Sequence, residues 1–347
     1  MPQPIDAVVL TGPGGAHLDS YFRALSQIEG VARVGLADSS GAAEADARKI
    51  LGDKLVAFEH DAQKLLADLK PAFALVSMEA LTAPPMIRAA LEAGCHVMAE
   101  KPSCVRAADF AELAKLADAK HKHLMLALAN RMRPRAQHVR QLIRSGAIGK
   151  LYGAELHIIA DQTRLRNPSY HKNWFADKAR AGGGHLIWLG IHWIDLVMFL
   201  TGAKITETAA FTGNVGGQPI NAEDSAAAIL KFDQGFFGTI TSGYYLDRGY
   251  HSFVKIWGSQ GWIQLEPHGE VQLRWYSTAA GSGTPKVQTY DGPAEASDYT
   301  PFVQACAAAA ADPMTPPPIT AAEGLRALQT VFACYDSAES GRVTKVG

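Results

Sequence analysis

Residues 7–17 read Ala-Val-Val-Leu-Thr-Gly-Pro-Gly-Gly-Ala-His, an unbroken apolar run that stops at a cluster of glycines and continues into HLDSYFRALSQI at 17–28. A run without polar alternation is expected of a strand buried on both faces, as in a parallel sheet covered by helices. Gly12, Pro13, Gly14 and Gly15 keep the backbone bare at the start of a helix, where peptide N–H groups and the helix dipole can receive a pyrophosphate. The full G-x-G-x-x-G spacing would place a third glycine at 17, and His17 stands there. Taken alone, the turn is also open to the lesser reading of a tight connection that binds nothing.

The same texture repeats outward from this stretch. VARVGLAD (31–38), LVAF (55–58), FALVSM (73–78), HVMAE (96–100) and HLMLALA (123–129) alternate with amphipathic stretches such as DAQKLLADL and AADFAELAKLADAK. That rhythm predicts right-handed βαβ crossovers and a doubly wound Rossmann sheet. After Gly149 the segments alternate instead and become rich in threonine and aromatic residues: LYGAELHIIA, AAAILKFD, GFFGTITSGYYL, SFVKIWGS, GWIQLEP and EVQLRWYS, parted by glycine-containing turns. They predict a large, mostly antiparallel open sheet in an α+β domain. A long apolar helix from about 184 to 200 interrupts them, and a final helix is expected over 321–337 with Thr320 as its N-cap. The expected division is 1–128, a dinucleotide-binding Rossmann domain, and 129–347, an α+β domain for substrate binding and oligomerisation.

Length and composition agree with this division. The chain has 347 residues, 48% of them hydrophobic and 19% charged, with 33 Lys+Arg against 34 Asp+Glu. Two cores are expected, because single cores stop growing near roughly 250–300 residues. A net charge of −1 gives little attraction for polyanions, so nucleic acid and membrane surfaces are not expected partners. Cys95, Cys104, Cys306 and Cys334 follow no C-x-x-C or framework spacing, which suits reduced thiols in a cytoplasmic protein. An antiparallel sheet with one uncovered face predicts a homodimer or homotetramer.

Four groups of residues can carry chemistry. Asp38 closes the second predicted strand, where a carboxylate accepts both ribose hydroxyls of NAD and repels the extra phosphate of NADP; an Asx turn into Ser39-Ser40 is the plainer alternative. Glu100-Lys101-Pro102 ends the fifth predicted strand, and a desolvated lysine ammonium there can bond a substrate hydroxyl and help move its proton. In Gly182-Gly183-Gly184-His185 through His192-Trp193-Ile194-Asp195, positions 185, 188, 192 and 195 are expected on one side of an otherwise apolar helix. His192 and Asp195 then need partners, either in the core or in a ligand, while a metal held by His185, His192 and Asp195 is not expected. Arg164, Tyr170, His171 and Trp174 precede the triple glycine and suit a hydroxylated ligand or lid packing equally. Arg131, Arg133, Arg135, Arg140 and Arg144 read as the solvated face of a helix ending before Gly146.

Several motifs stand in order along nearly the whole chain: Gly12-x-Gly14, Leu91-Glu92-Ala93-Gly94 leading to Glu100-Lys101-Pro102, Asn130-Arg131, Gly146-x-x-Gly149-Lys150, Gly190-x-His192-x-x-Asp195, Glu223-Asp224, Gly258-x-x-Gly261 and Tyr335-x-Ser337. With these the chain resembles the Gfo/Idh/MocA family of NAD(P)-dependent sugar and polyol oxidoreductases. The resemblance implies NAD as cofactor and a sugar, polyol or glycoside as substrate. It also implies Lys101 and His192 as catalytic residues, with Glu100, Ser77, Met78 and Asn130 near the cofactor. Two positions depart from the family pattern. Trp188 stands where an aspartate usually precedes the histidine, and is free to lay its indole on a sugar ring, and Ser77-Met78-Glu79 replaces a hydroxyl residue, a proline and an amide. The expected function is hydride transfer between nicotinamide and a hydroxyl-bearing carbon. The alternatives are glycoside cleavage through transient oxidation, with NAD recycled in place, and nucleotide binding without turnover.

Overall fold

Six parallel strands are built from the apolar runs of the first part of the chain: β1 (Ile5–Thr11), β2 (Val31–Asp38), β3 (Leu55–Glu59), β4 (Phe73–Ser77), β5 (His96–Ala99) and β6 (Leu124–Leu126). The structure, a computed structural model, describes residues 4–280, 285–293 and 298–347. The strand order is β3-β2-β1-β4-β5-β6, so the winding direction reverses between β1 and β4. Open sheets of this kind take ligands at the carboxyl ends of the strands flanking that reversal. Val8, Val9 and Leu10 are fully buried, because helices cover both sides of the sheet. The register pairs Thr11 with Asp38 on one side and with Ser77 on the other, which brings three strand ends to one edge.

The second part contributes a nine-stranded sheet among the described residues, in the order β14-β13-β12-β11-β7-β10-β9-β8-β15. Its central strands are β7 (Leu151–Asp161), β8 (Ile205–Gly213), β9 (Ser225–Phe232), β10 (Phe237–Leu246) and β11 (Tyr250–Gly258). The outer ones are β12 (Gly261–Leu265), β13 (Leu273–Ser277), β14 (Gln288–Thr289) and β15 (Thr344–Lys345). Only β7 and β10 run parallel; the other pairings are antiparallel. In β9 and β10 buried residues alternate with exposed ones, so one face packs on helices and the other shows Ile229, at 55% exposure, and Phe237, at 57%.

Contacts divide the chain into two units, residues 1–129, 179–182 and 296–325 in the first, and 130–178, 183–295 and 326–347 in the second. The helix Thr300–Ala311, which no motif announced, packs on the helix Leu18–Gln27 of the first unit. The last helix begins at Ala321, as expected; Thr320 Oγ1 accepts from Glu323 N at 3.2 Å while Glu323 Oε2 accepts from Thr320 N at 2.9 Å, a reciprocal capping box. Among the described residues one helical run, Lys178–Thr201, is long and apolar enough to cross a membrane by length and composition, and 83% of its most apolar window is buried inside the protein. The four cysteines are buried and free.

Candidate active site

In the first unit the glycine turn is held by its neighbours. Thr11 Oγ1 donates to Ser77 O at 2.7 Å, and Ser77 Oγ donates to Ala16 O at 2.7 Å while accepting from Ala16 N at 3.0 Å. Ser77 therefore spends its hydroxyl on clamping the turn to the end of β4. Gly14 has φ +86°, a conformation only glycine adopts freely, and a methyl group on Gly15 would run into Thr11 Oγ1. Met78 Cε lies 3.3 Å from where a Cβ on Gly12 would stand, so β4 crowds the turn at two points. His17 occupies the position before the helix Leu18–Gln27 in a left-handed conformation, φ 57°, which histidine tolerates better than most residues.

This turn forms one wall of a cleft of about 400 Å³, lined by Gly12, Pro13, Gly14, His17, Asp38 and Ser40 among others. Asp38 Oδ1 accepts from Ser40 N at 2.9 Å and Ser40 Oγ at 2.7 Å, and Oδ2 from Ala43 N at 2.8 Å. The Asx turn is present, and it fixes the Asp38 carboxylate on the cleft wall. Burial pushes its pKa up, the hydrogen bonds from Ser40, Ala43 and Gly41 together push it further down, and the carboxyl ends below its ordinary value. A bare backbone, a helix N-terminus and an ionised carboxylate on a neighbouring strand end are what the pyrophosphate and ribose of NAD require, and the cleft fits that cofactor.

Beside the cleft, Glu100 and Lys101 are each 2% exposed. Glu100 Oε2 accepts from the Tyr21 hydroxyl and stands 3.4 Å from His17 Nδ1. Glu100 Oε1 accepts no hydrogen bond among the described residues and lies 4.0 Å from Lys101 Nζ. A line of polar groups therefore leads from the cleft wall at His17 through Glu100 to Lys101. Tyr299 closes it from outside, with ring centroids 5.1 Å from His17 and 5.2 Å from Tyr21. No spacing in the sequence announced that His17, in place of a glycine, would bond the residue before Lys101.

In the second unit the helix expected over 184–200 begins with a π-turn, Leu186–Gly190, and continues as the α-helix Ile191–Thr201. Its first four N–H groups are all satisfied. Glu223 Oε2 accepts from Gly184 N at 2.5 Å, Glu223 O from His185 N at 3.0 Å, Glu223 Oε1 from Leu186 N at 2.9 Å and Tyr335 Oη from Ile187 N at 3.1 Å. Tyr335 also donates to Glu223 Oε1 at 2.8 Å. Side chains on Gly183 and Gly184 would collide with Tyr335 and with the Glu223 backbone, which explains the triple glycine. Burial raises the Glu223 carboxyl above its ordinary range despite these bonds.

The π-turn corrects the expectation that 185, 188, 192 and 195 share one side, because its wider turn carries His185 away from His192 and Asp195. His185 is fully buried with Nδ1 2.7 Å from Ser242 Oγ and its ring edge-on to Tyr244 at 4.3 Å. Trp188 is half-buried and packs on Phe175, centroids 4.5 Å apart, and edge-on to Trp174 at 5.5 Å. His192 is half-buried one turn further on. Asp195 is fully buried, and both its oxygens are taken by Arg131, Nε at 2.8 Å and Nη2 at 2.5 Å, so its carboxylate is held within the protein rather than offered to a ligand. Arg131 is correspondingly no part of a solvated face: it is 3% exposed and lies over Phe199 at 5.2 Å, where Arg140 also sits at 4.1 Å. An ion pair 64 residues apart in sequence leaves no periodic signal.

The remaining candidates divide. Tyr170 stands half-buried 6.1 Å from the Phe175 ring, whereas Trp174 is 2% exposed and backs Trp188. Asn130 Oδ1 accepts from Arg133 Nε at 3.0 Å. Arg164 belongs to the short helical turn Thr163–Arg166, and its side chain lies outside the described residues. Among the described residues no group of three or more His, Cys, Asp or Glu is placed to hold a metal ion.

Known proteins match both parts of the chain. Residues 5–128 match the NAD-binding Rossmann fold of the Gfo/Idh/MocA oxidoreductase family, and residues 136–264 match the Gfo/Idh/MocA C-terminal domain. The chain is 26% identical over 215 residues to the rhizopine catabolism protein MocA of Rhizobium meliloti, covering 56% of this chain and 63% of that protein. It is 33% identical over 113 residues to D-glucoside 3-dehydrogenase of Escherichia coli, covering 33% of this chain and 31% of that one. The chain thus spans between about a third and just under two thirds of these curated relatives. Levoglucosan dehydrogenase in complex with NADH and L-sorbose superposes with a TM-score of 0.86 at 19% identity over 99% of both chains, a likeness of fold. With both of its parts matched in order, the chain belongs to the Gfo/Idh/MocA family of oxidoreductases, and its first part is that family's NAD-binding Rossmann domain.

Proposed function

We propose that the protein is an NAD-dependent dehydrogenase acting on a hydroxyl-bearing carbon of a sugar, polyol or glycoside. The observation that supports this reading best is the line from the cleft wall at His17 through Glu100 to the buried Lys101, which sets a cation beside a cofactor cleft. Gly12, Pro13, Gly14, Gly15 and Asp38 hold the dinucleotide, with Ser77 and Met78 shaping the turn and Asn130 a further contact. Asp38 favours NAD over NADP because a fixed carboxylate repels a ribose phosphate.

Bound NAD supplies a two-electron acceptor for the hydrogen that leaves the substrate carbon. The chain's own residues manage the proton and the position. His192 takes a hydroxyl proton on an imidazole nitrogen, and Lys101 stabilises developing negative charge by donating a hydrogen bond. Glu100, bound by Tyr21 and His17, restrains the Lys101 ammonium from behind. Trp188 and Tyr170 give an apolar surface for the carbon face of a ring, with Trp174 behind them and Arg164 as a donor to hydroxyls. Asp195 contributes by locking Arg131 rather than by touching substrate.

The unit that holds residues 1–128 serves as the cofactor domain, and the other, within 129–347, as the substrate and assembly domain; residues 179–182 and 296–325 go with the first rather than with the expected second domain. The exposed apolar row Phe211, Ile229 and Phe237 on the open sheet supports a homodimer or homotetramer. Four buried free thiols support a cytoplasmic location. The test is incubation with NAD and a panel of sugars, polyols and aryl glycosides. NADH formed in step with oxidised product supports the reading; aglycone release without net NADH, or saturable NAD binding with neither product, replaces it.

A further inference from the structure

Glu79 stands two residues beyond Ser77, on the strand end that clamps the glycine turn, and is 7% exposed. Ser77 clamps the glycine turn that walls the dinucleotide cleft, and the Glu79 charge two residues further on is met from a distant part of the chain. Arg180 grips it with both arms of the guanidinium, Nε to Oε1 at 2.8 Å and Nη2 to Oε2 at 2.5 Å. The Arg180 carbonyl also accepts from Leu81 N at 3.1 Å, so side chain and backbone fasten the segment 179–182 to residues 79–81. That segment belongs to the first unit although the chain on both sides of it belongs to the second.

We propose that Arg180 is a positioning residue for the cofactor: by neutralising Glu79 it keeps an uncompensated carboxylate away from the phosphates of NAD. The inference goes beyond the proposed function, since it concerns only the shown NAD-binding domain and holds whatever the substrate is. A fork-to-carboxylate pair supplies direction as well as charge, and removing one partner leaves a poorly solvated charge behind.

The test is a double-substitution cycle read as NAD affinity by calorimetry on the full chain, with no substrate present. Arg180→Ala weakens NAD binding about tenfold, as loss of a charge-compensating partner worth about 1.4 kcal/mol would. Adding Glu79→Gln to Arg180→Ala restores affinity to within about threefold of the parent, because the anion to be neutralised is gone. Arg180→Lys gives up the fork but keeps a positive charge beside Glu79, and because neutralisation is what the proposal invokes, affinity stays within about threefold as well. Unchanged affinity in Arg180→Ala, no rescue in the double variant, or a loss in Arg180→Lys equal to that in Arg180→Ala overturns the proposal. Failure of the parent protein itself to bind NAD would instead count against the function proposed above, which keeps the two readings distinguishable.

Discussion

Two carboxylates, the buried Glu100 in one unit and the half-buried Glu223 in the other, are used in opposite ways. Glu223 spends both oxygens inside the protein, on the N–H groups that open the helix bearing His192 and on the Tyr335 hydroxyl. Glu100 spends one oxygen on Tyr21 and faces Lys101 with the other, which accepts no hydrogen bond among the described residues. A buried polar group left unsatisfied costs stability, about 1–3 kcal/mol. Under the proposed function, Glu100 belongs to the chemistry and Glu223 to the scaffold.

Changes on the Glu100 side should strike turnover. Lys101→Ala should lower NAD reduction by about 10²–10⁴-fold while NAD affinity, measured by titration, stays within about threefold. Full rate in that variant would remove Lys101 from the mechanism. Changes in the scaffold of the second unit should strike stability. Asp195→Ala takes the carboxylate away from the buried Arg131 and should cost about 3–5 kcal/mol in urea unfolding, whereas an apolar pair of similar volume at both positions should recover most of it. A small effect of Asp195→Ala would mean that the carboxylate is not structural.

A milder change sharpens the comparison. Tyr335→Phe removes one donor to Glu223 and one acceptor for Ile187 N, and should cost about 1–2 kcal/mol in unfolding experiments. Smallest of all is the pH response, in which Asp38 and Glu223 oppose each other. Asp38 is lowered in the folded protein, so its contribution is present above the ordinary value of 3.8 and lost as pH falls through its lower folded value. Glu223 is raised, so its contribution is present below the ordinary value of 4.5 and lost as pH rises through its higher folded value. In melting temperatures taken against pH, Asp38→Asn should flatten the acid loss and Glu223→Gln the fall just above it. A Glu223→Gln profile identical to the parent would show that burial does not govern that carboxyl.

Local features of the chain were legible because they depend on neighbours in sequence. Unbroken apolar runs announced parallel strands, alternating ones the antiparallel sheet, and Gly12 to Gly15 a bare turn before a helix. Asp38 was placed correctly at a strand end, and the Asx turn read from Ser39-Ser40 is present there. The triple glycine was visible as a motif, but its reason, the approach of Tyr335 and Glu223, was not. Arg131 read as a surface cation, and the shared side of 185, 188, 192 and 195 was drawn on an α-helix that begins as a π-turn.

By itself, then, the sequence determined the strand rhythm, the order of the two sheets, the glycine turn and the family, since period and spacing are properties of a chain read along its length. Only the tertiary structure decided which carboxylate is satisfied and which is left facing a lysine. Arg131 meets Asp195, Arg180 meets Glu79 and Tyr335 meets Glu223 across separations of 64, 101 and 112 residues. Buried charges must find partners wherever the fold brings them, and no local pattern encodes that distance.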